Sequence, residues 1–259
     1  MEYPKIDIKP LGVRVDKLVA QDLCDIIHNT IGNNAHCIIA HHNVHSVYLC
    51  QKDIKMRSFY DKADVTFIDG MPLVWIGQIL GHPLKRDNRM TSLDWLQLVF
   101  LRAAQEGWRI FYLGSKYGVA QKGADILKAK YPGLQIDTHH GYFGVAHESG
   151  GNKRIIEKIN EYRPHILFVG MGMPIQEQWV ADNIKALRTN VIITIGAYID
   201  YIAGEIPMPP RWMGRAGLEG LYRLCCEPQR LWRRYLVEPW LLLRLLGFNI
   251  ERRRNDRKR

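Results

Sequence analysis

Short runs of apolar residues alternate with amphipathic stretches along most of the chain. The apolar runs are rich in Ile, Val and Phe without polar alternation, which predicts strands that are buried on both faces. Six such strands are expected, at Cys37–His41, Val65–Ile68, Arg109–Leu113, Leu134–Asp137, Ile166–Val169 and Val191–Ile195. Strands that alternate with helices build a parallel sheet. The sequence therefore predicts an α/β fold with a Rossmann-like, mostly parallel sheet flanked by helices.

Helices are predicted between these strands from their amphipathic spacing. They are expected at Ser46–Tyr60, Pro72–Leu80, Ser92–Glu106, Val119–Lys130, Lys153–Glu161 and Ile175–Leu187. The alternation ends in the segment 203–217, whose three prolines and three glycines are typical of a linker. Two more helices are predicted at 217–226 and 228–246, so we expect a core over 1–205 and a helical appendage over 206–259.

Composition and charge indicate a globular protein with a basic C-terminal segment. The 259 residues are 47% hydrophobic and 24% charged, which excludes a disordered or fibrous protein. The net charge is +10, and residues 206–259 hold 12 Arg and one Lys against five acidic residues. A nearly neutral core with a basic appendage predicts an anionic partner, such as a phosphate, an acidic lipid or a nucleic acid. The last nine residues, 251–259, are expected to be mobile.

Other patterns indicate the compartment. The first residues lack a signal-peptide pattern, and no stretch is apolar enough for a membrane span. The five cysteines form no CxxC pair, which predicts reduced, mostly buried thiols in a cytosolic protein. We expect neither a zinc site nor a disulfide framework.

Candidate chemistry follows the predicted strands, since ligands of open parallel sheets bind beyond the carboxyl ends of the strands. Four loops there contain Asn43, Asp69, the pair Gly114 and Ser115, and the pair Gly170 and Gly172. Glycine loops that lead into helices can offer N–H groups to a diphosphate, although they can also serve only as tight turns. Ile175 stands where a dinucleotide fingerprint needs its third glycine, and no P-loop occurs, so a nicotinamide site is disfavoured.

Asp69 has two interpretations of equal weight from sequence alone. It can act as a base toward an incoming hydroxyl, or it can cap the helix that starts near Pro72. The histidines at 41, 42 and 45 are expected to line the cleft rather than bind a metal, because the first two point to opposite faces of a strand. No DxD motif is present, so a sugar transferase would meet the leaving-group charge with helix ends and cations.

The basic appendage interleaves arginines with aromatic residues and leucines. Its cations include Arg223, Arg230, Arg233 and Arg234. A charge run is usually a solvated helix face, but Trp, Tyr and Leu among the arginines favour a helix on a membrane surface. Nucleic acid is the other polyanion that suits such a segment.

Ordered motif blocks over about 26–240 resemble the WecG/TagA/CpsF family of bacterial glycosyltransferases. The blocks are NVHSVYL at 43–49, ADVTFIDGMPLVW at 63–75, GWRIFYLGSKYGVA at 107–120, YPGLQI with GYFG at 131–144, GMGMPIQEQW at 170–179 and the segment from Pro209 to Tyr235. Within the family, HNVHS, DGMPLVW and LWRRYLVEPW are most similar to the GumM-type members. The chain departs from the family at His41, where other members carry Thr.

The resemblance implies an inverting, metal-independent transferase without cofactor. Its substrates would be a UDP-sugar and an acceptor linked to polyprenyl diphosphate, at the cytoplasmic face of the bacterial inner membrane. By matching position, Asp69 is the expected base, Asn43 and Gln176 are motif residues, and His41 is a candidate substrate contact. The arginines expected to close over the site and hold the acceptor diphosphate are Arg223, Arg230 and Arg233.

The identity of the donor stays open. The GumM-type similarity suggests UDP-glucuronate in exopolysaccharide assembly, and other branches suggest UDP-N-acetylmannosamine or its uronate. A uronate would need a further cation, for which Arg86, Arg89 and Lys116 are candidates. The rival interpretation is a non-catalytic Rossmann-like module that binds a polyanion such as a nucleic acid. If the protein is a transferase, we expect it to bind no nucleic acid. A homo-oligomer is compatible with the sequence.

Overall fold

A computed structural model describes residues 3–144, 150–240, 242–244 and 247; for Arg211 and Arg215 it describes the backbone alone. Its centre is a six-stranded, wholly parallel sheet in the order β4-β3-β8-β7-β5-β6. These strands are β3 (Cys37–His42), β4 (Val65–Ile68), β5 (Arg109–Gly114), β6 (Gln135–His139), β7 (Ile166–Gly170) and β8 (Val191–Thr194). The predicted fold class and all six predicted strands are confirmed, with ends that differ by one or two residues.

Helices cover both faces of the sheet. The core helices are α1 (Ala20–Gly32), α2 (Val44–Lys52), α3 (Ile54–Lys62), α4 (Met71–Ile79), α5 (Ser92–Glu106), α6 (Val119–Lys130), α7 (Gly150–Tyr162), α8 (Ile175–Asn183) and α9 (Tyr198–Ile202). Alternate strand residues feed two cores: Ile39 and Ile193 belong to one, and Ile38 and Ile192 belong to the other. This two-sided burial is the reason for the unbroken apolar runs in the sequence.

The fold differs from the prediction in several places, and helices α1 and α9 are two elements that were not predicted. An antiparallel hairpin of β1 (Lys5–Ile8) and β2 (Val13–Asp16) precedes the sheet and was not predicted. The helix predicted over Ser46–Tyr60 is two helices, α2 and α3, because the side chain of Asp53 accepts a hydrogen bond from the Lys55 N–H and starts a new helix. Of the five cysteines, Cys225 and Cys226 are exposed, so the expectation of mostly buried thiols holds only for the other three.

The appendage is helical, as predicted, but it is divided into short pieces. It consists of α10 (Arg211–Ala216), α11 (Glu219–Cys226), α12 (Pro228–Trp232), a π-helical stretch (Arg233–Val237) and helical residues at 238–240 and 242–244. Helix α10 lies inside the segment predicted as a linker. Leu242 is buried in the cluster formed by the hairpin and α4, which docks the end of the appendage on the core. The predicted mobile residues 251–259 lie outside the described residues.

No helix among the described residues has the length and apolar character that crossing a bilayer requires.

Candidate active site

The loops after β3, β4, β7 and β8 surround a cavity of about 380 Å³, and the appendage forms its roof. Parallel strands end at the same edge of a sheet, so the polar residues that follow neighbouring strands come together there. The lining residues predicted from the sequence are His41, Asn43, Asp69, Gly172, Gln176, Arg223, Arg230 and Arg233. Eight of the eleven predicted site residues therefore share one cavity.

The other three predicted residues, Gly114, Ser115 and Gly170, are not among the residues that line this cavity. Gly114 and Gly170 lie side by side on β5 and β7, and a Cβ at Gly114 would collide with the Gly170 backbone. The Ser115 hydroxyl hydrogen-bonds the Asp200 carboxylate. Gly114, Ser115 and Gly170 thus contact other residues of the protein and do not face the cavity. Strand order accounts for Gly114 and Ser115, because β8 and β7 separate β5 from β3. Gly170 is the last residue of β7, where a Cβ would collide with the Tyr112 hydroxyl and the Gly196 backbone.

Asp69 does not cap a helix. Helix α4 begins after Gly70, and no side chain caps it; the positive φ of 114° at Gly70 lets the backbone turn directly after Asp69. The carboxylate side chain is 29% exposed and faces the cavity. Within the part of the chain that is described, Lys and Arg side chains make no ion pair with it. Of the two interpretations of Asp69 from the sequence, the one that makes it a helix cap is therefore wrong.

Asn43 orients the Asp69 carboxylate. Its Nδ2 donates to Asp69 Oδ2 at 3.3 Å. Its own Oδ1 accepts from the Ser46 N–H at 3.0 Å, and the Ser46 hydroxyl accepts from the Asn43 N–H at 2.9 Å. This capping box fixes Asn43 at the start of α2. One residue thus starts a helix and positions the candidate base.

His41 and His42 point to opposite faces of β3, as predicted. The His42 ring stacks on Tyr60 at 3.9 Å, away from the cavity, and burial lowers its pKa to about 3. The His41 ring faces Asp69, with Nε2 at 3.8 Å from Oδ2. Among the described residues, no three His, Cys, Asp or Glu side chains meet in a way that could hold a metal ion.

Gln176 is held rigidly at the wall of the cavity. Its Oε1 accepts from the Gly172 N–H at 3.1 Å, and its Nε2 donates to Glu177 Oε1 at 2.7 Å. Glu177 is fully buried, and burial raises its pKa to about 7, with the Gln176 hydrogen bond acting in the opposite direction. The glycine loop and its first helical turn therefore form a single hydrogen-bonded unit.

Two arginines of the appendage line the cavity without an Asp or Glu oxygen within 4.0 Å among the described residues. Arg223 Nε is buried without a hydrogen-bond partner. Arg234 has no ion-pair partner within 4.0 Å in the described part of the chain, and burial lowers its pKa. Arg230 is different, because it is exposed and pairs with Glu227 at 2.6 Å; Arg233 lies over the Trp232 ring. Arg234 also lines the cavity, and it was not among the three arginines that the family resemblance implied.

The two acidic residues of the appendage that line the cavity are already paired. Glu219 binds Arg89 at 2.6 Å, and Glu238 binds His45 at 2.7 Å. Both pairs join the appendage to the core, and the Arg89 guanidinium balances the charge of the Glu219 carboxylate. The cavity therefore keeps a surplus of positive charge beside Asp69, an arrangement that suits a diphosphate.

A second cavity of about 360 Å³ meets the first at Asp69. Both are lined by Asn43, His45, Asp69, Glu219, Arg223 and Arg234. The remainder of the second cavity is mainly apolar, and we call it the apolar groove; it is lined by Met71, Pro72, Leu221, Leu224, Leu236 and Pro239. Asp69 thus lies between a polar, cationic chamber and a mostly hydrophobic one.

Comparison with known proteins agrees with this geometry. The model of the Glycosyl transferase WecG/TagA/CpsF family matches residues 8–257. Similar relatives are the N-acetylglucosaminyldiphosphoundecaprenol N-acetyl-beta-D-mannosaminyltransferases of Staphylococcus aureus strains NCTC 8325 / PS 47, COL and MRSA252. Each is 24% identical over 239 residues, covering 88% of this chain and 87% of the relative. A match that extends from the first hairpin into the end of the appendage means that the chain belongs to the WecG/TagA/CpsF family and is a glycosyltransferase.

Proposed function

We propose that the protein transfers a sugar from a UDP donor to a saccharide linked to polyprenyl diphosphate, in the assembly of a cell-surface polysaccharide. The observation that carries the proposal is the position of Asp69, a carboxylate without a capping role, at the meeting point of a cationic cavity and an apolar groove. The relatives support the acceptor class, since their names specify an acceptor on diphosphoundecaprenol.

The chemistry is a single displacement with inversion. Asp69 takes the proton of an acceptor hydroxyl, whose oxygen attacks the anomeric carbon of the donor. The bond between the anomeric carbon and the diphosphate breaks, and UDP leaves with the electron pair. Arg223 and Arg234 stabilise diphosphate charge through charge-assisted hydrogen bonds, so the transfer is proposed to be metal-independent.

The apolar groove is proposed to take the first part of the prenyl chain. Its lining combines Met71 and Pro72 of the core with Leu221, Leu224 and Leu236 of the appendage. Arg223 and Arg234 line both cavities, so a diphosphate at these two residues connects a lipid in the groove to a sugar at Asp69. In this proposed arrangement an acceptor hydroxyl lies next to Asp69 and the acceptor diphosphate lies at the two arginines.

The donor is proposed to be UDP-N-acetylmannosamine, in line with the group that the relatives transfer. The alternative, UDP-glucuronate, would need a cation for its carboxylate. Arg86 and Lys116 line neither cavity, and the two terminal nitrogens of Arg89 are paired with Asp94 and Glu219. None of these three cations is therefore positioned and unpaired so that it could bind the carboxylate of a uronate.

The appendage is proposed to contact an anionic membrane surface at the cytoplasmic face of the inner membrane. Its exposed apolar side chains include Trp212, Leu221, Trp232, Leu236, Trp240 and Leu243. Exposed Trp and Leu among arginines are typical of an interfacial helix. Trp240→Ser with Leu243→Ser should weaken sedimentation with vesicles of anionic phospholipid, whereas the exposed Ile54→Ser in the core should leave it unchanged.

The test of the whole proposal is release of UDP. Purified protein is given UDP-N-acetylmannosamine, UDP-N-acetylglucosamine, UDP-glucose or UDP-glucuronate with a short-chain prenyl-diphosphate N-acetylglucosamine acceptor. We expect acceptor-dependent UDP release and a disaccharide of inverted configuration with UDP-N-acetylmannosamine. Turnover with UDP-glucuronate instead would overturn the donor assignment, and absence of turnover and of UDP binding with every donor would overturn the function.

A further inference from the structure

His41 has a fixed orientation at the end of β3. Its Nδ1 lies 3.0 Å from the carbonyl oxygen of Thr194 on the neighbouring strand β8. A carbonyl oxygen can only accept, so Nδ1 carries a hydrogen and donates it. In the neutral ring the other nitrogen, Nε2, then holds a lone pair. The Phe67 ring packs against the imidazole at 5.6 Å, which restricts it further.

The lone pair of Nε2 faces the candidate base. The distance from Nε2 to Asp69 Oδ2 is 3.8 Å, and Nε2 has no hydrogen-bond partner among the described residues. Both side chains line the same cavity. Two acceptors this far apart leave room for one hydroxyl oxygen at a hydrogen-bond distance of about 2.8 Å from each. A substrate hydroxyl that reaches Asp69 therefore also reaches His41.

The surroundings of the ring favour its neutral, proton-accepting form at rest. Burial lowers the pKa of His41, and Asp69 and the Thr194 carbonyl act in the opposite direction. Arg234 is the other charged group that acts on the ring, and it also favours the neutral form. A proton that arrives during the reaction would be stabilised on the ring by the Asp69 carboxylate on one side and the Thr194 carbonyl on the other.

We propose that His41 is a second catalytic base, which shares with Asp69 the proton of the acceptor hydroxyl. This inference rests on the proposed function. The O–H bond of the acceptor breaks as its oxygen bonds the anomeric carbon, UDP leaves with the electron pair of the broken glycosidic bond, and the proton comes to rest on Nε2. The ring then bears both hydrogens next to an ionised Asp69, and it returns the proton to water after the products leave.

Kinetics with His41→Phe tests this proposal, because Phe keeps a ring of similar size against Phe67 and has no titrating group. We expect kcat to fall about ten-fold to a hundred-fold, while KM for the donor and UDP binding change less than about two-fold. In the wild type the acidic limb of the pH profile of kcat/KM should report two protonations, and in the variant one. His36→Phe, at the exposed residue just before β3, is the matched control and should keep wild-type kinetics.

A second variant and a spectroscopic readout guard against a purely structural effect. His41→Gln can still hydrogen-bond but has no basic nitrogen, and it should lose the same limb of the pH profile. Long-range ¹H–¹⁵N correlation spectra of histidine-labelled protein should show one ring, absent in His41→Phe, with Nδ1 protonated and Nε2 bare.

The outcomes separate this inference from the proposed function. Absence of turnover and of UDP binding in the wild type would overturn the function itself, and Asp69→Asn with normal turnover would overturn the role of Asp69 as the base. An inactive Asp69→Asn together with a His41→Phe or His41→Gln protein of wild-type kcat and pH profile would overturn only the role of His41. A His41 ring with hydrogen on Nε2 instead of Nδ1 would also overturn it.

Discussion

The Arg234 side chain should destabilise the folded protein and strengthen the binding of substrate. Its guanidinium is half-buried between the two cavities and has no ion-pair partner within 4.0 Å among the described residues. Methionine matches its unbranched stem without the charge. Relief of a partly buried, unpaired cation is worth about 1 kcal/mol after allowance for its remaining exposure. Arg234→Met should therefore raise the melting temperature by roughly 2–4 °C.

The same substitution should weaken substrate binding. Hydrogen bonds to a charged group contribute about 1.5–3 kcal/mol each, so loss of one of them predicts a fall in kcat/KM of roughly ten-fold to 150-fold. Thermal unfolding and steady-state UDP release measure the two effects. Arg230→Met is the control: its exposed pair with Glu227 is worth about 0–1 kcal/mol, so its melting temperature should not rise. An Arg234→Met protein that melts lower than the wild type, or that keeps its kcat/KM, would refute the reasoning.

Two further predictions concern stability. Burial raises the pKa of Glu177 to about 7, so stability that this group contributes at acidic pH is lost as the pH rises through that value. Glu177→Gln should consequently gain about 3 kcal/mol relative to the wild type at about pH 8 and nothing at about pH 4, measured by urea unfolding; an equal difference at both pH values would contradict this. Glu219→Gln removes the partner of Arg89 across the junction of core and appendage, and should cost about 2 kcal/mol and speed proteolysis of the appendage. Wild-type proteolysis of that variant would show that the pair does not hold the appendage.

The sheet could be predicted from the sequence because its strands are buried on both faces and so give continuous apolar runs. The β1–β2 hairpin could not, since KIDI and VRVD are short and half polar. The break between α2 and α3 depends on one capping contact of Asp53, which a hydrophobic pattern does not register.

The sequence predicts which residues follow the ends of strands, but it does not predict the order of the strands in the sheet. The candidate site could therefore be predicted only in part. Asn43 and Asp69 follow adjacent strands, and their meeting needs only a parallel pair. The position of Gly114 and Ser115 outside the cavity follows from the two strands between β5 and β3, which local sequence does not encode. The family resemblance pointed to Arg233 and not to Arg234, whereas in the folded π-helical stretch both residues line the cavity.

The most direct test of the central claim compares turnover with donor binding in Asp69→Asn. The substitution keeps the shape of the side chain and removes its basicity, and the arginines that we propose to hold diphosphate remain in place. We predict that acceptor-dependent UDP release falls by at least about a hundred-fold while the Kd for UDP, measured by calorimetry, stays within about two-fold of the wild type. Undiminished UDP release by Asp69→Asn would contradict the assignment of Asp69 as the base.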